Sequence, residues 1–214
     1  MARVLVLCEY SGTVREAFAA KGHDAWSCDL LPTDIPGQHY MENFLSPGSE
    51  ILNMEWDLVI AHPPCTYLSN SGVSHLYSKD GRTNGRRDID LDRWQKMEEG
   101  AAFFKTILNL PYEKMCVENP IQHRFARDRI GTKYTQIVHP YMFGHMEQKA
   151  TCLWLKGLPK LVETNNVKKQ MLLLPDKERQ RLHYLSPGPN RWKERSKTFQ
   201  GLADCMADQW SDLI

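Results

Sequence analysis

Two short segments of the chain end an apolar run on a side chain that could do covalent chemistry. The first is Asp57-Leu-Val-Ile-Ala-His-Pro-Pro-Cys65, a strand-like run that closes on a double proline and a thiol. Proline fixes the backbone, so Pro63 and Pro64 hold Cys65 at the C-terminal edge of the strand. The second is Met115-Cys-Val-Glu-Asn-Pro120, another strand-like run, ending in Glu118. An open α/β sheet gathers its ligands outside the carboxyl ends of its strands, so a cysteine and a glutamate are aimed at one crevice. A thiolate there is a nucleophile and a carboxylic acid a proton donor. Each also has a plainer reading: the double proline could simply end a strand before a buried structural cysteine, and Glu118 before Asn-Pro could cap a helix.

The first β-to-α connection carries a second signal. Cys8-Glu9-Tyr10-Ser11-Gly12-Thr13-Val14-Arg15 places a small-residue turn at a helix N-terminus, where backbone N–H groups can meet a ligand. Asp29 ends the second apolar run, at the position where doubly wound nucleotide sites set a carboxylate against ribose hydroxyls. The chain has no Gly-x-Gly-x-x-Gly run and no Gly-Lys-Ser/Thr phosphate loop, which argues against dinucleotides and nucleoside triphosphates. A nucleoside cofactor without pyrophosphate, S-adenosylmethionine, fits a single-glycine turn better.

The elements that must position these residues follow from the hydrophobic rhythm. Arg3 to Cys8, Asp24 to Cys28, Asp57 to Ala61 and Lys114 to Val117 read as strands, with helices over Gly12 to Ala20 and Leu91 to Leu108. This is the pattern of an α/β, doubly wound, mostly parallel Rossmann-like sheet. Residues 69–87, rich in Ser, Gly, Asn and Arg, read as a long mobile loop. Thr135 to Pro140 and Ala150 to Leu155 read as strands joined through a turn at Phe143-Gly144-His145. Pro159 to Lys197 reads as an irregular excursion with one short helix at Pro175 to Leu182. Thr198 to Leu213 closes the chain as an amphipathic helix with Leu202, Met206, Trp210 and Leu213 on one stripe.

Composition bounds the rest. The 214 residues suffice for one domain, 1–214, and a net charge of +1 gives no bulk attraction to nucleic acid. The six cysteines form no Cys-x-x-Cys pair, so neither disulfides nor a zinc cluster is expected. Cys8, Cys28, Cys116 and Cys152 fall within or at the end of apolar runs and read as small buried hydrophobes. His139 and His145 flank an aromatic turn without a third ligand, so no metal is assigned. Trp154, Trp192 and Trp210 read as core. The basic residues between Lys168 and Lys193 are interleaved with acids, as on a solvated face, although they could equally line DNA. No apolar stretch approaches the roughly 20 residues of a membrane-spanning helix, and the N-terminus runs directly into a strand. The cytoplasm is the expected location.

Taken together, Pro63-Pro64-Cys65-x-x-Leu68-Ser69-x-x-Gly72 and Glu118-Asn119 resemble motifs IV and VI of the cytosine-C5 methyltransferases. Tyr10-Ser11-Gly12 resembles their motif I, and Asp29 falls where their ribose-binding acid stands. His139-Pro-Tyr-x-Phe-Gly-His145, Lys149-Ala-Thr-Cys-Leu-Trp-Leu155 and Ser196-Lys-Thr-Phe-Gln-Gly-Leu-Ala203 are similar to segments of a compact, phage-type branch. The resemblance covers nearly the whole chain.

It implies that Cys65 adds to carbon 6 of cytosine, that Glu118 is a carboxylic acid of raised pKa serving N3, and that S-adenosylmethionine donates the methyl group to carbon 5. It also implies cofactor contacts from Glu9, Tyr10, Ser11, Gly12, Val14, Asp29, Leu30, Asn43 and Pro63. Contacts to a flipped cytosine in DNA would come from Pro64, Ser69, Asn119, Lys149 and Thr151. Arg82, Arg86 and Arg87 would close over the strand.

Some positions depart from the family. Thr66 stands where many members carry Gln, and Gln148-Lys149-Ala-Thr151 replaces an arginine-rich strand. The stretch from Gly157 to Arg195 is much shorter than a usual target-recognition domain, which implies slight sequence specificity or a partner that supplies it. Three other functions compete. An amino-methyltransferase for adenine N6 or cytosine N4 would need Asp/Asn-Pro-Pro-aromatic where this chain has His62-Pro-Pro-Cys65. A DNA-binding or counter-defence protein without turnover would have no use for Cys65 and Glu118 together. The same chemistry on a free pyrimidine nucleotide would need no DNA surface.

Overall fold

The computed structural model describes residues 1–84 and 86–214. Its centre is a seven-stranded sheet of β1 (Arg3–Leu7), β2 (Asp24–Asp29), β3 (His39–Met41), β4 (Leu58–Ala61), β7 (Met115–Pro120), β8 (Gln136–Val138) and β9 (Thr151–Lys156). The spatial order is β3-β2-β1-β4-β7-β9-β8, with β9 antiparallel to both neighbours and the other pairings parallel. The α/β, doubly wound, mostly parallel Rossmann-like sheet expected from the sequence is therefore present.

The strands read as continuous apolar runs because both faces are covered. Leu5 and Leu7 of β1 face one core with Val59 and Ala61, whereas Val4 and Val6 face the other with Leu58 and Ile60. The first core is completed by α2 (Leu91–Leu108) and α3 (Arg124–Ile130), through Met97, Ala101, Phe104, Ala126 and Ile130. The second is completed by α1 (Thr13–Ala19) and the last helix, α8 (Gln200–Trp210), through Val14, Phe18, Leu202, Met206 and Trp210. Leu213 falls off the expected stripe. It lies beyond α8 in a final 3-10 turn and is 43% exposed.

The expectation of a mobile loop at 69–87, which includes the undescribed residue 85, is corrected on either side of that residue. Residues 70–76 form a 3-10 segment, and β5 (Tyr77–Thr83) pairs antiparallel with β6 (Arg86–Ile89). The hairpin buries no apolar face, so it leaves no hydrophobic period in the sequence.

The excursion is also more regular than expected, with short helices α4 (Lys168–Met171), α5 (Asp176–Arg179), α6 (Arg181–Tyr184) and α7 (Arg191–Ser196). Each presents at most one buried residue, Met171 in α4 and Leu182 in α6, too few to set a period. Among the described residues, no helix is long and apolar enough to cross a membrane.

Candidate functional site

Strand register brings the two reactive segments together. β4 and β7 are parallel neighbours, with Ala61 opposite Val117. Cys65 lies four residues past the end of one strand, and Glu118 one residue past the matching position of the other. The segment after β4 turns back at once, because the Cys65 carbonyl accepts from the amides of Leu68 and Ser69 at 3.0 and 2.9 Å. Asn119, 1% exposed, ties the two strand ends by donating from Nδ2 to the Pro63 carbonyl at 2.7 Å. Its Oδ1 is buried without a partner among the described residues.

His62 joins the site from the position before Pro63. Its Nδ1 lies 3.1 Å from Glu118 Oε2, with the two side chains 8% and 14% exposed. Burial opposes charge on both. Their hydrogen bond and mutual attraction nevertheless hold His62 above its ordinary pKa and Glu118 below its own. The sequence expectation of a raised-pKa Glu118 is thus corrected, because a basic partner 56 residues away in the chain reaches the carboxylate.

Cys65 is half-buried, and its thiol is pushed up by desolvation and by the charge of Glu118, while Lys149 and Arg195 pull it down. Lys149 Nζ donates to the Arg195 carbonyl at 3.0 Å, which brings α7 against the start of β9. Thr151, the first residue of β9, is buried opposite Pro120. A narrow cleft beside Glu118 is lined by His139, Lys149, Thr151, Lys197 and Phe199, among others. Ser69 Oγ is occupied by Ser71 Oγ at 3.1 Å, and Pro64 is exposed.

The turn after β1 is built around Gly12, whose φ of +75° is left-handed and suits glycine. A Cβ there would stand 2.7 Å from the Arg15 guanidinium. Glu9, 4% exposed, accepts from the amides of Val14 at 2.7 Å and Arg15 at 3.2 Å and from Ser11 Oγ at 3.3 Å. The α1 amides expected to face a ligand are therefore already held by an internal carboxylate that offsets the helix dipole.

Tyr10 points the other way. Its hydroxyl donates to the Lys193 carbonyl at 2.8 Å and lies 3.0 Å from Ser196 Oγ, and its ring sits 5.9 Å from Trp192. Trp192, expected in the core, is 52% exposed because it caps this contact from outside. Lys197 adds an ion pair to Asp34 at 3.0 Å. The end of the excursion thus lies across the site, a role its polar sequence did not show.

Asp29 ends β2 with its carboxylate accepting from Leu31 N at 3.0 Å, and burial raises its pKa. Leu30 beside it is 72% exposed. Asn43 is exposed, and its Oδ1 is taken by the amide of Leu45 at 3.0 Å.

Among the described residues, the basic hairpin makes no side-chain hydrogen bond or ion pair to this cluster. Arg82, Arg86 and Arg87 are exposed on it, with Arg82 opposite Arg87. Sequence reasoning missed His62 and Arg195. The only signal for His62 was its place between the strand and the double proline. Among the described residues no group of three His, Cys, Asp or Glu could hold a metal, and His145 Nε2 instead accepts from the amide of Gly201 at 2.9 Å.

No family model matches the chain, and no curated protein matches it by sequence. Among solved structures, it is similar to a prophage-encoded protein of E. coli named a "putative DNA modification methyltransferase". The match has a TM-score of 0.45 and 16% identity, covering 82% of this chain and 56% of that one. The chain therefore spans little more than half the length of that protein.

Proposed function

We propose that this chain transfers a methyl group from S-adenosylmethionine to carbon 5 of cytosine in DNA, through a covalent adduct at Cys65. The observation that carries the reading is the convergence of Cys65 and Glu118 on adjacent strand ends, locked by Asn119 to Pro63. Carbon 5 of cytosine is a poor nucleophile until a thiolate adds at carbon 6. Cys65 forms that bond, and Lys149 and Arg195 favour its ionised form. Charge then builds toward N3, and Glu118, hydrogen-bonded to His62, is the group that passes a proton there. The unpartnered Asn119 Oδ1 is an acceptor suited to the exocyclic amino group of cytosine. Loss of the carbon 5 proton and expulsion of Cys65 restore the aromatic ring.

The residues around Gly12 fit the cofactor. Beside this tight turn Asp29 offers a carboxylate for ribose hydroxyls, and exposed Leu30 offers an apolar face for adenine. Tyr10 and Pro63 are assigned to the cofactor by the family resemblance, whereas Glu9, Ser11 and Val14 hold the turn together through their hydrogen bonds. S-adenosylmethionine, when bound, supplies an electrophilic methyl group. The chain is read as one methyltransferase domain over 1–214, acting in the cytoplasm, in which the excursion at about 157–197 replaces a larger recognition domain. Arg82, Arg86 and Arg87 offer charge for the DNA backbone.

The test is incubation of the protein and S-adenosylmethionine with DNA or with dCMP, followed by mass spectrometry of the nucleosides. 5-Methylcytosine from DNA is expected. N-methylated bases would instead favour an amino-methyltransferase, methylated dCMP a nucleotide enzyme, and no product a binding protein.

A further inference from the structure

The acid in this site is not a lone carboxyl. Glu118 Oε2 and His62 Nδ1 are 3.1 Å apart, on side chains 14% and 8% exposed, at the ends of neighbouring strands. His62 Nε2 is buried and has no partner among the described residues. The histidine is therefore held by one strong contact, and that contact is the proposed proton donor.

We propose that His62 is a positioning residue that stores the proton Glu118 delivers, so that the functional acid is a His62–Glu118 dyad. This rests on the covalent reading of Cys65. The proton balance follows from the contact. At rest the dyad holds one proton, shared between His62 Nδ1 and Glu118 Oε2. As Cys65, its thiol proton already lost to solvent, adds to carbon 6, the shared proton passes through Glu118 to N3, leaving Glu118 ionised and His62 neutral. On elimination the N3 proton returns by the same route, the carbon 5 proton leaves to water, and the sulfur departs with the electron pair of the carbon–sulfur bond.

A carboxylate by itself would be deprotonated near neutral pH and have nothing to give. Pairing with an imidazole moves the proton reserve toward physiological pH. The other charged groups acting on His62 are Glu9, from the turn after β1, and Lys149, ahead of β9. Glu9 favours the protonated dyad and Lys149 opposes it.

The test uses the full chain, S-adenosylmethionine and duplex DNA containing 5-fluorocytosine, with the rate of covalent complex formation followed against pH for wild type, His62→Asn and His62→Gln. Asparagine and glutamine can still donate a hydrogen bond but cannot store a proton. In wild type the rate should fall on the alkaline side near the imidazole pKa of His62 read by NMR, which should itself drop in Glu118→Gln. The variants should lose at least about tenfold in rate, with the alkaline fall displaced to lower pH. Unchanged rate and pH profile in the variants, while wild type traps DNA, would overturn the dyad and leave Cys65 untouched. So would a wild-type His62 that titrates at or below the ordinary imidazole value, a readout that survives if the variants misfold. No trapping by wild type would overturn the covalent reading itself, and the dyad with it.

Discussion

Asn119 Nδ2 donates to the carbonyl of Pro63 at 2.7 Å, across 56 residues of sequence, and so fixes the segment that carries Cys65 against the strand that carries Glu118. The bond is buried, and loss of the amide would leave the Pro63 carbonyl unsatisfied. Asn119→Ala should therefore cost about 1–3 kcal/mol of folding stability, measured by urea denaturation. Adduct formation at Cys65 should slow as well. A variant of unchanged stability would mean that the strand ends are held by other contacts.

The parts of this arrangement that were legible in the sequence are those with a local signature. Val4 to Leu7 and Leu58 to Ala61 are buried on both faces, so they stand out as apolar runs. Cys65 and Glu118 were legible because each closes such a run. β3 is a three-residue edge strand with no buried residue, and α3 buries only Ala126 and Ile130, so neither has a period to read. The protonation preference of Glu118 was read with the wrong sign because it depends on His62. Likewise, Arg195 and Trp192 reach the site only through the tertiary path of the excursion.

The turn at Gly12 should be intolerant of any side chain. Gly12→Ala places a Cβ 2.7 Å from the Arg15 guanidinium at a left-handed φ. The backbone strain alone should cost about 1–2 kcal/mol, visible as a lowered Tm. S-adenosylmethionine binding by calorimetry should weaken. Retained affinity would move the cofactor away from this turn.

Stability should show the signature of the buried ion pair. Glu118 has a lowered folded pKa, so its contribution is present above the ordinary carboxylate value and lost as pH falls through the lowered one. His62 has a raised folded pKa, so its contribution is complete below the ordinary imidazole value and lost as pH rises through the raised one. The stability difference between wild type and Glu118→Gln should therefore be greatest between those two ordinary values and shrink on either side. Thermal melts across pH check this, and a difference flat with pH would contradict the pair.

Lys149 should tune the nucleophile. Its charge opposes the rise that burial imposes on Cys65. In Lys149→Met the midpoint of the pH profile for iodoacetamide alkylation of Cys65, read by peptide mass spectrometry, should move to higher pH. The midpoint separates ionisation from access, which changes when the bond to the Arg195 carbonyl is lost. A midpoint that stays or falls would remove Lys149 from the electrostatics of the thiol.

The proposed reaction depends on a covalent bond from Cys65 to cytosine. The most direct measurement is denaturing electrophoresis of the protein with S-adenosylmethionine and DNA containing 5-fluorocytosine, for wild type and Cys65→Ala. A complex that survives denaturation in wild type and is absent in the variant is the predicted result. A complex formed equally well by Cys65→Ala would contradict it.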